Sequence, residues 1–148
     1  MSTITTISIA FLLSFVILVG KRVFYNATIT HQPTPLAVPR LFCPTTLLNF
    51  NGADGKPVYI AVCGHVFDVT PCKHFYGSGG PYENFAGRDA SRGLALQSFD
   101  KEVLTQDLKG PLDNLADINA TQLANLESWE EYFSGKYTVV GWLVAEDH

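Results

Sequence analysis

The residues best equipped for chemistry crowd between Phe75 and Asp89. The chain there runs Phe75-Tyr76, Gly77-Ser78-Gly79-Gly80, Pro81-Tyr82, Phe85 and Gly87-Arg88-Asp89, and Lys136-Tyr137 follows much later. A tyrosine offers an apolar ring with an oxygen at its edge, which suits a core, an interface or a ligand wall equally well. Three tyrosines beside a glycine-rich loop and a strand start describe an aromatic surface with oxygens along its edge; spacing alone names no ligand. Other chemistries lack their residues. His74 has no Ser/His/Asp setting around it, and Gly77–Gly80 lacks both the spacing of a nucleotide-binding loop and a following Lys-Ser/Thr. The glycines instead supply the freedom for a tight loop.

These side chains need elements to hold them. Val58–Val62 is rich in β-formers, Cys63-Gly64 is a turn signal and His65–Val69 is a second strand, so the pair predicts a hairpin. Residues 71–81 hold three glycines and two prolines and predict irregular backbone. Helical stretches are expected around Tyr82–Ala86 and Asp89–Leu96, and over Asp100–Leu108 with Asp100 as N-cap. The strongest helix signal spans Thr121–Phe133. There Thr121 is the expected cap, Leu123, Leu126, Trp129 and Tyr132-Phe133 share a face, and Gly135 is the expected stop. Tyr137–Val144 reads as a last strand. The fold class is therefore α+β, a small sheet with several short helices around a cleft.

Outside this domain, of the 148 residues, Ile4–Gly20 carry no charge and are followed by Lys21 and Arg22. About 20 apolar helical residues cross the hydrocarbon of a bilayer. Residues 1–22 are thus expected to be an N-terminal transmembrane anchor, since a cleaved signal would carry its basic residues before the run. Lys21 and Arg22 then keep the C-terminal domain in the cytosol. Residues 23–40, with Pro33, Pro35 and Pro39, read as a tether, and 41–148 as the domain. The domain sets seven Lys and Arg against fourteen Asp and Glu, a net charge of −7. That balance argues against nucleic acid and for a basic protein partner. Cys43, Cys63 and Cys72 have no CxxC or Cys/His metal spacing and read as reduced structural thiols.

Four collinear segments carry a resemblance: HVFDVT (65–70), HFYGSGGPYENFAGRDASRGLA (74–95), SFDKEVL (98–104) and SWEEYFSGKYTVVGWL (128–143). Together they closely resemble the membrane-associated progesterone receptor family, a branch of the cytochrome b5-like haem/steroid-binding fold. Its fungal, damage-response-type members assist the cytochromes P450 of sterol synthesis. The resemblance implies a non-covalent b-type haem, with Tyr82 of the GPY triplet as axial ligand of the iron. It also implies pocket roles for Tyr76, Lys136 and Tyr137, and a link to haem binding for Asp89. A phenol ordinarily ionises near pH 10, so ferric iron must favour the phenolate, and a neighbouring ammonium such as Lys136 would help.

Cytochromes b5 proper use two histidines, one in an HPGG motif that this chain lacks. Its histidines are His31, His65, His74 and His148. His74 stands where the family often has Lys or Arg before FYG. The resemblance thus implies a haem-binding, non-enzymatic partner of cytochromes P450 in the endoplasmic reticulum membrane, with a haem-mediated homodimer also open. A haem-independent steroid-binding or adaptor module and a b5-type electron carrier are the alternatives.

Overall fold

The structure, a computed structural model, describes residues 40–146. The expected anchor and residues 23–39 of the expected tether lie outside that range. Among the described residues no helix is long and apolar enough to cross a membrane.

Four strands form one mixed sheet: β1 (Arg40–Phe42), β2 (Tyr59–Val62), β3 (His65–Asp68) and β4 (Thr138–Leu143), in spatial order β1-β4-β3-β2. The β2–β3 hairpin has the expected register, with Tyr59 opposite Asp68 and Val62 opposite His65. Its two turn residues, Cys63 (φ 51°) and Gly64 (φ 79°), both have positive φ, as a turn matched to the strand twist requires. β4 lies antiparallel to β3 and parallel to β1, where Arg40 pairs with Gly141. Arg40, the last residue assigned to the tether, is thus the first residue of the sheet.

Alternation along the strands buries both faces of the sheet. Ile60, Val62 and Phe67 enter the larger core with Phe85, Leu94, Leu126 and Phe133, while Ala61 and Val66 pack with Phe42, Leu47 and Leu143 on the opposite face. Residues 87–90 cover the outer edge of β2, with Ala61 N donating to Arg88 O and Ala90 N to Ala61 O, each at 2.9 Å. That capping leaves β2 no open edge for another chain.

The helices are α1 (Pro44–Leu47), α2 (Lys73–Tyr76), α3 (Ser91–Leu96) and α4 (Ala120–Lys136). Several expectations change here. Residues 71–81 are not wholly irregular, because a 3-10 turn at Thr70–Cys72 and the single turn α2 precede the glycines. Only a 3-10 turn, Lys101–Val103, forms where a helix over 100–108 was expected. Burial of Leu104 draws the backbone into an extended conformation, and the Gln106 side chain takes the Lys101 and Leu104 carbonyls. Around Tyr82 the expected helix is another 3-10 turn, Glu83–Phe85.

The cap of α4 is Asn119 rather than Thr121. Asn119 Oδ1 accepts from Gln122 N (3.0 Å) and Gln122 Oε1 from Asn119 N (2.9 Å), a reciprocal box that Thr121 has no partner to build. Gly135 lies inside the helix, which runs on to Lys136, and Leu123 is exposed. A Cβ at Gly135 would meet nothing within 4 Å. Gly135→Ala is therefore expected to stabilise the protein by about 0.5–1 kcal/mol, seen as a higher urea midpoint at unchanged slope.

Arg92 on α3 anchors the loop that leads to α4. Its guanidinium binds Asp113 and also donates to both carboxylate oxygens of Asp117, at 3.0 and 2.8 Å. The hydrogen bonds from Arg92 hold the Asp113 and Asp117 carboxyls below the ordinary carboxylate range. The folded state therefore binds fewer protons than the unfolded chain near pH 4. The clamp's stability is present above that pH and lost as pH falls through the lowered folded values. Burial raises the Asp89 carboxyl, which works in the opposite direction. Urea midpoints measured from pH 6 to pH 3 should fall for the native chain and fall less for Arg92→Leu.

Candidate functional site

The glycine loop folds back on α2 and so places Tyr82. Gly77 N donates to Lys73 O (2.7 Å), Gly80 N to Gly77 O (3.0 Å) and Tyr82 N to Phe75 O (2.9 Å). A Cβ on Gly80 would stand 2.4 Å from Phe75 O, so the close return that brings Tyr82 against Phe75 admits only glycine at that position. Glu83 secures the loop from outside, its carboxylate accepting from Gly79 N at 2.8 Å.

Helix α4 supplies the facing wall. Trp129, Tyr132 and Lys136 recur at three- and four-residue spacing and share a face. With Phe75, Tyr76, Tyr82, Ser128 and Tyr137 they line a cleft of about 510 Å³. The Tyr76 ring lies 5.9 Å from Tyr82 and 6.2 Å from Tyr137. The structure thus brings Tyr76, Tyr82, Lys136 and Tyr137 into one space.

Asp89 stands elsewhere. It lines a small cavity with Pro44, Asp113 and Leu143, and its carboxylate accepts from Ser91 N (3.0 Å) and from the Ser91 hydroxyl at the start of α3. In this structure it is bonded to the first residue of α3 and is not among the residues that line the tyrosine cleft. His74 is exposed on α2 with its ring 4.2 Å from Phe75, and it does not line the cleft.

Two polar features mark the cleft. The Lys136 ammonium donates to the Tyr132 hydroxyl and lies 4.9 Å over the Tyr132 ring and 5.3 Å over the Tyr137 ring. The hydrogen bond with Tyr132 raises its pKa, so it stays a cation. Its fixed partner is Tyr132, not Tyr82. Burial pushes the Tyr137 hydroxyl well above its ordinary value. Tyr76 and Cys72 approach that hydroxyl, yet neither makes a hydrogen bond with it, and the buried oxygen has no partner among the described residues. A buried polar atom without a partner is the kind of group a ligand satisfies.

A second cleft, of about 620 Å³, opens by the outer side of the loop between Asp54, Glu83, Arg88 and Lys101. It is larger and more polar, but its mixed charges and amides offer no concentrated donor set. The tyrosine cleft combines apolar walls, several phenols and one cation, a pattern that can hold a flat apolar group by its faces and a metal or polar edge by oxygen. Trp129 and Tyr132 belong to this site although the sequence marked them only as an apolar helix face.

Residues 44–139 match the family described as "Cytochrome b5-like Heme/Steroid binding domain". The chain belongs to this family. Among its relatives, "Cytochrome P450 regulator dap1" of Schizosaccharomyces pombe is 41% identical over 106 residues, covering 72% of this chain and 64% of that protein. "Membrane-associated progesterone receptor component 2" of Homo sapiens is 43% identical over 110 residues, covering 74% of this chain and 48% of that protein. The alignments thus span between about half and two thirds of these two relatives. A solved Arabidopsis thaliana protein described as having "a cytochrome b5 like fold" is 38% identical, with TM-score 0.63 over 78% of this chain and all of the other. The cytochrome b5-like domain, mixed sheet and short helices together, is the expected fold. The progesterone-receptor resemblance read from residues 65–143 agrees with the names of these relatives.

Proposed function

We propose that this cytochrome b5-like protein binds a b-type haem in the tyrosine cleft, with Tyr82 as the iron's oxygen donor, and acts as a membrane-anchored, non-enzymatic partner of cytochromes P450 in sterol or steroid metabolism. The observation that carries the reading is the donor set. The cleft lining holds three tyrosine oxygens besides Tyr82 and no histidine, so a metal there meets oxygen rather than imidazole. Its residues fit the group. Phe75, Tyr76 and Trp129 offer apolar faces to a flat ring, and the unpartnered Tyr137 hydroxyl is a polar atom awaiting a ligand.

When bound, the haem supplies a ferric iron that an anionic oxygen ligand holds at low reduction potential. The chain's own part is to present the Tyr82 oxygen on a loop fixed by Gly80, to exclude water with the aromatic walls, and to keep the Lys136 cation at the rim. That arrangement suits haem retention and partner regulation better than rapid electron carriage, which favours paired histidines.

The partner assignment rests on the name of the fission-yeast relative and on the acidic domain, which complements a basic face. Residues 1–22 as anchor and the endoplasmic reticulum as location belong to the same proposal. A haem-independent steroid site is the second reading, favoured by the aromatic lining, which would take a flat apolar ring system as readily.

Titration of the detergent-solubilised full chain with haemin tests the proposal. A saturable one-to-one complex with a high-spin ferric spectrum is the expected result. A low-spin, six-coordinate spectrum would point to histidine ligation, and no binding would leave the steroid reading. Sedimentation velocity with and without haemin tests whether the complex dimerises.

A further inference from the structure

Against Tyr82, and not itself among the residues lining the cleft, stands Phe99. Its ring centroid is 4.7 Å from that of Tyr82, a closer approach than Tyr76 (5.9 Å) or Phe75 (6.5 Å) makes to the same ring. Phe99 is in turn backed by Phe85 at 5.6 Å, and Phe85 is fully buried in the core. An unbroken row of rings therefore joins the core to the phenol.

The backbone of Phe99 is latched as well. Asn84 Nδ2 donates to Phe99 O at 2.8 Å, which ties it to the turn that follows Tyr82. On the other side Ser98 N donates to Gly93 O at 2.9 Å at the end of α3. Yet Phe99 is 41% exposed, far more than core packing alone would leave. A large ring held in the open by an anchor on its own carbonyl and another on the residue before it needs a reason, and the ring it approaches most closely is Tyr82.

We propose that Phe99, latched by Asn84, is a positioning residue for Tyr82: it closes one side of the phenol so that one rotamer remains, with the oxygen directed to the cleft. Tyr82 sits on a loop in a half-buried position, where a free aromatic side chain would sample several staggered wells. Tilted ring contacts from Phe99 and from Tyr76 remove the others. The inference rests on the Tyr82 ligand reading and adds the residue that sets its geometry.

The test uses the full chain in detergent, as Phe99→Ala, Phe99→Trp and Asn84→Ala. Because Phe99 is partly exposed, the urea midpoint of Phe99→Ala should stay near the native one. In the ligand-free protein with labelled tyrosine, the Tyr82 ring resonances, assigned through Tyr82→Phe, should broaden or average in Phe99→Ala. Haemin affinity should drop roughly three- to tenfold. The single high-spin ferric electron-spin resonance signal should become heterogeneous. Phe99→Trp should restore both, and Asn84→Ala should show a weaker form of the same defect.

Native Tyr82 ring resonances in Phe99→Ala would overturn the positioning role whatever haemin does. A uniform native-like ferric signal in that variant would do the same. If Tyr82→Phe itself leaves the haemin spectrum unchanged, the ligand reading fails, and the ring resonances alone then decide whether Phe99 positions Tyr82.

Discussion

Tyr82→Phe is expected to lower haemin affinity at least about 100-fold, since loss of even an outer-shell partner of a metal ligand costs up to that much. The substitution is clean because the ring keeps its neighbours. Phe99 at 4.7 Å and Tyr76 at 5.9 Å still have an aromatic face to pack on, and the backbone bond from residue 82 to Phe75 is unaltered. The Tyr82 hydroxyl makes no hydrogen bond among the described residues, so folding stability should change by less than about 0.5 kcal/mol. Absorption titration and urea unfolding, run side by side, separate the two effects. A variant that folds normally and still gives the native ferric spectrum would move the iron ligand to another phenol of the cleft, with Tyr132→Phe the next to measure.

Phe133→Ala should cost about 3–5 kcal/mol, a large share of the roughly 5–15 kcal/mol that holds a small domain together. Phe133 is 1% exposed and touches rings from several directions: Tyr137 at 5.2 Å, Phe67 of β3 at 5.5 Å and Tyr76 at 6.1 Å. It is the post on which helix α4, the sheet and the floor of the cleft meet. Removing it opens a cavity that stiff neighbours cannot close, and it frees Tyr76 and Tyr137 to shift. Thermal and urea unfolding should both register the loss. Phe133→Leu, which keeps most of the volume, should lose less than about 1.5 kcal/mol and retain more ligand affinity. Equal losses for the two variants would mean that the ring contacts, rather than the filled volume, carry the effect.

Some of this architecture could be read before any fold was known. The hairpin was legible because Cys63-Gly64 interrupts two β-rich runs, and β4 because Tyr137–Val144 is a compact apolar strand after a long helix. Both signals are local. β1 was not legible. Three residues beside prolines carry no period, and their pairing depends on Gly141, a hundred positions away in sequence. The α4 cap was misplaced by two residues because Thr121 and Asn119 are both good caps, and only the reciprocal bond with Gln122 decides between them. Gly135 failed as a stop because its neighbours Phe133 and Tyr137 are fixed by packing, which outweighs a penalty of about 1 kcal/mol.

The cleft divides in the same way. Tyr76, Tyr82, Lys136 and Tyr137 were named through likeness to a family, and the structure shows them to be neighbours. Tyr132 and Phe99 were hidden, since an aromatic residue on a helix face or in a loop gives no sign in sequence of the ring it will meet. Asp89 was linked to haem only through the same likeness, and in this chain its carboxylate is held by Ser91, outside the lining of the tyrosine cleft.

The parallel pairing of β1 with β4 has a consequence for how the chain can be cut and rejoined. The polypeptide enters the sheet at Arg40 and leaves it after Leu143 on the adjoining strand; Val144 N donates to Phe42 O at 2.8 Å, and the Thr45 hydroxyl reaches the Glu146 carboxylate. Entry and exit are separated by about the length of one short strand, roughly 10 Å. A few glycines could bridge them, and new ends could be opened in the exposed segment near Lys109 without cutting a strand. The order of the elements along the gene is, for this sheet, a matter of history more than of mechanics.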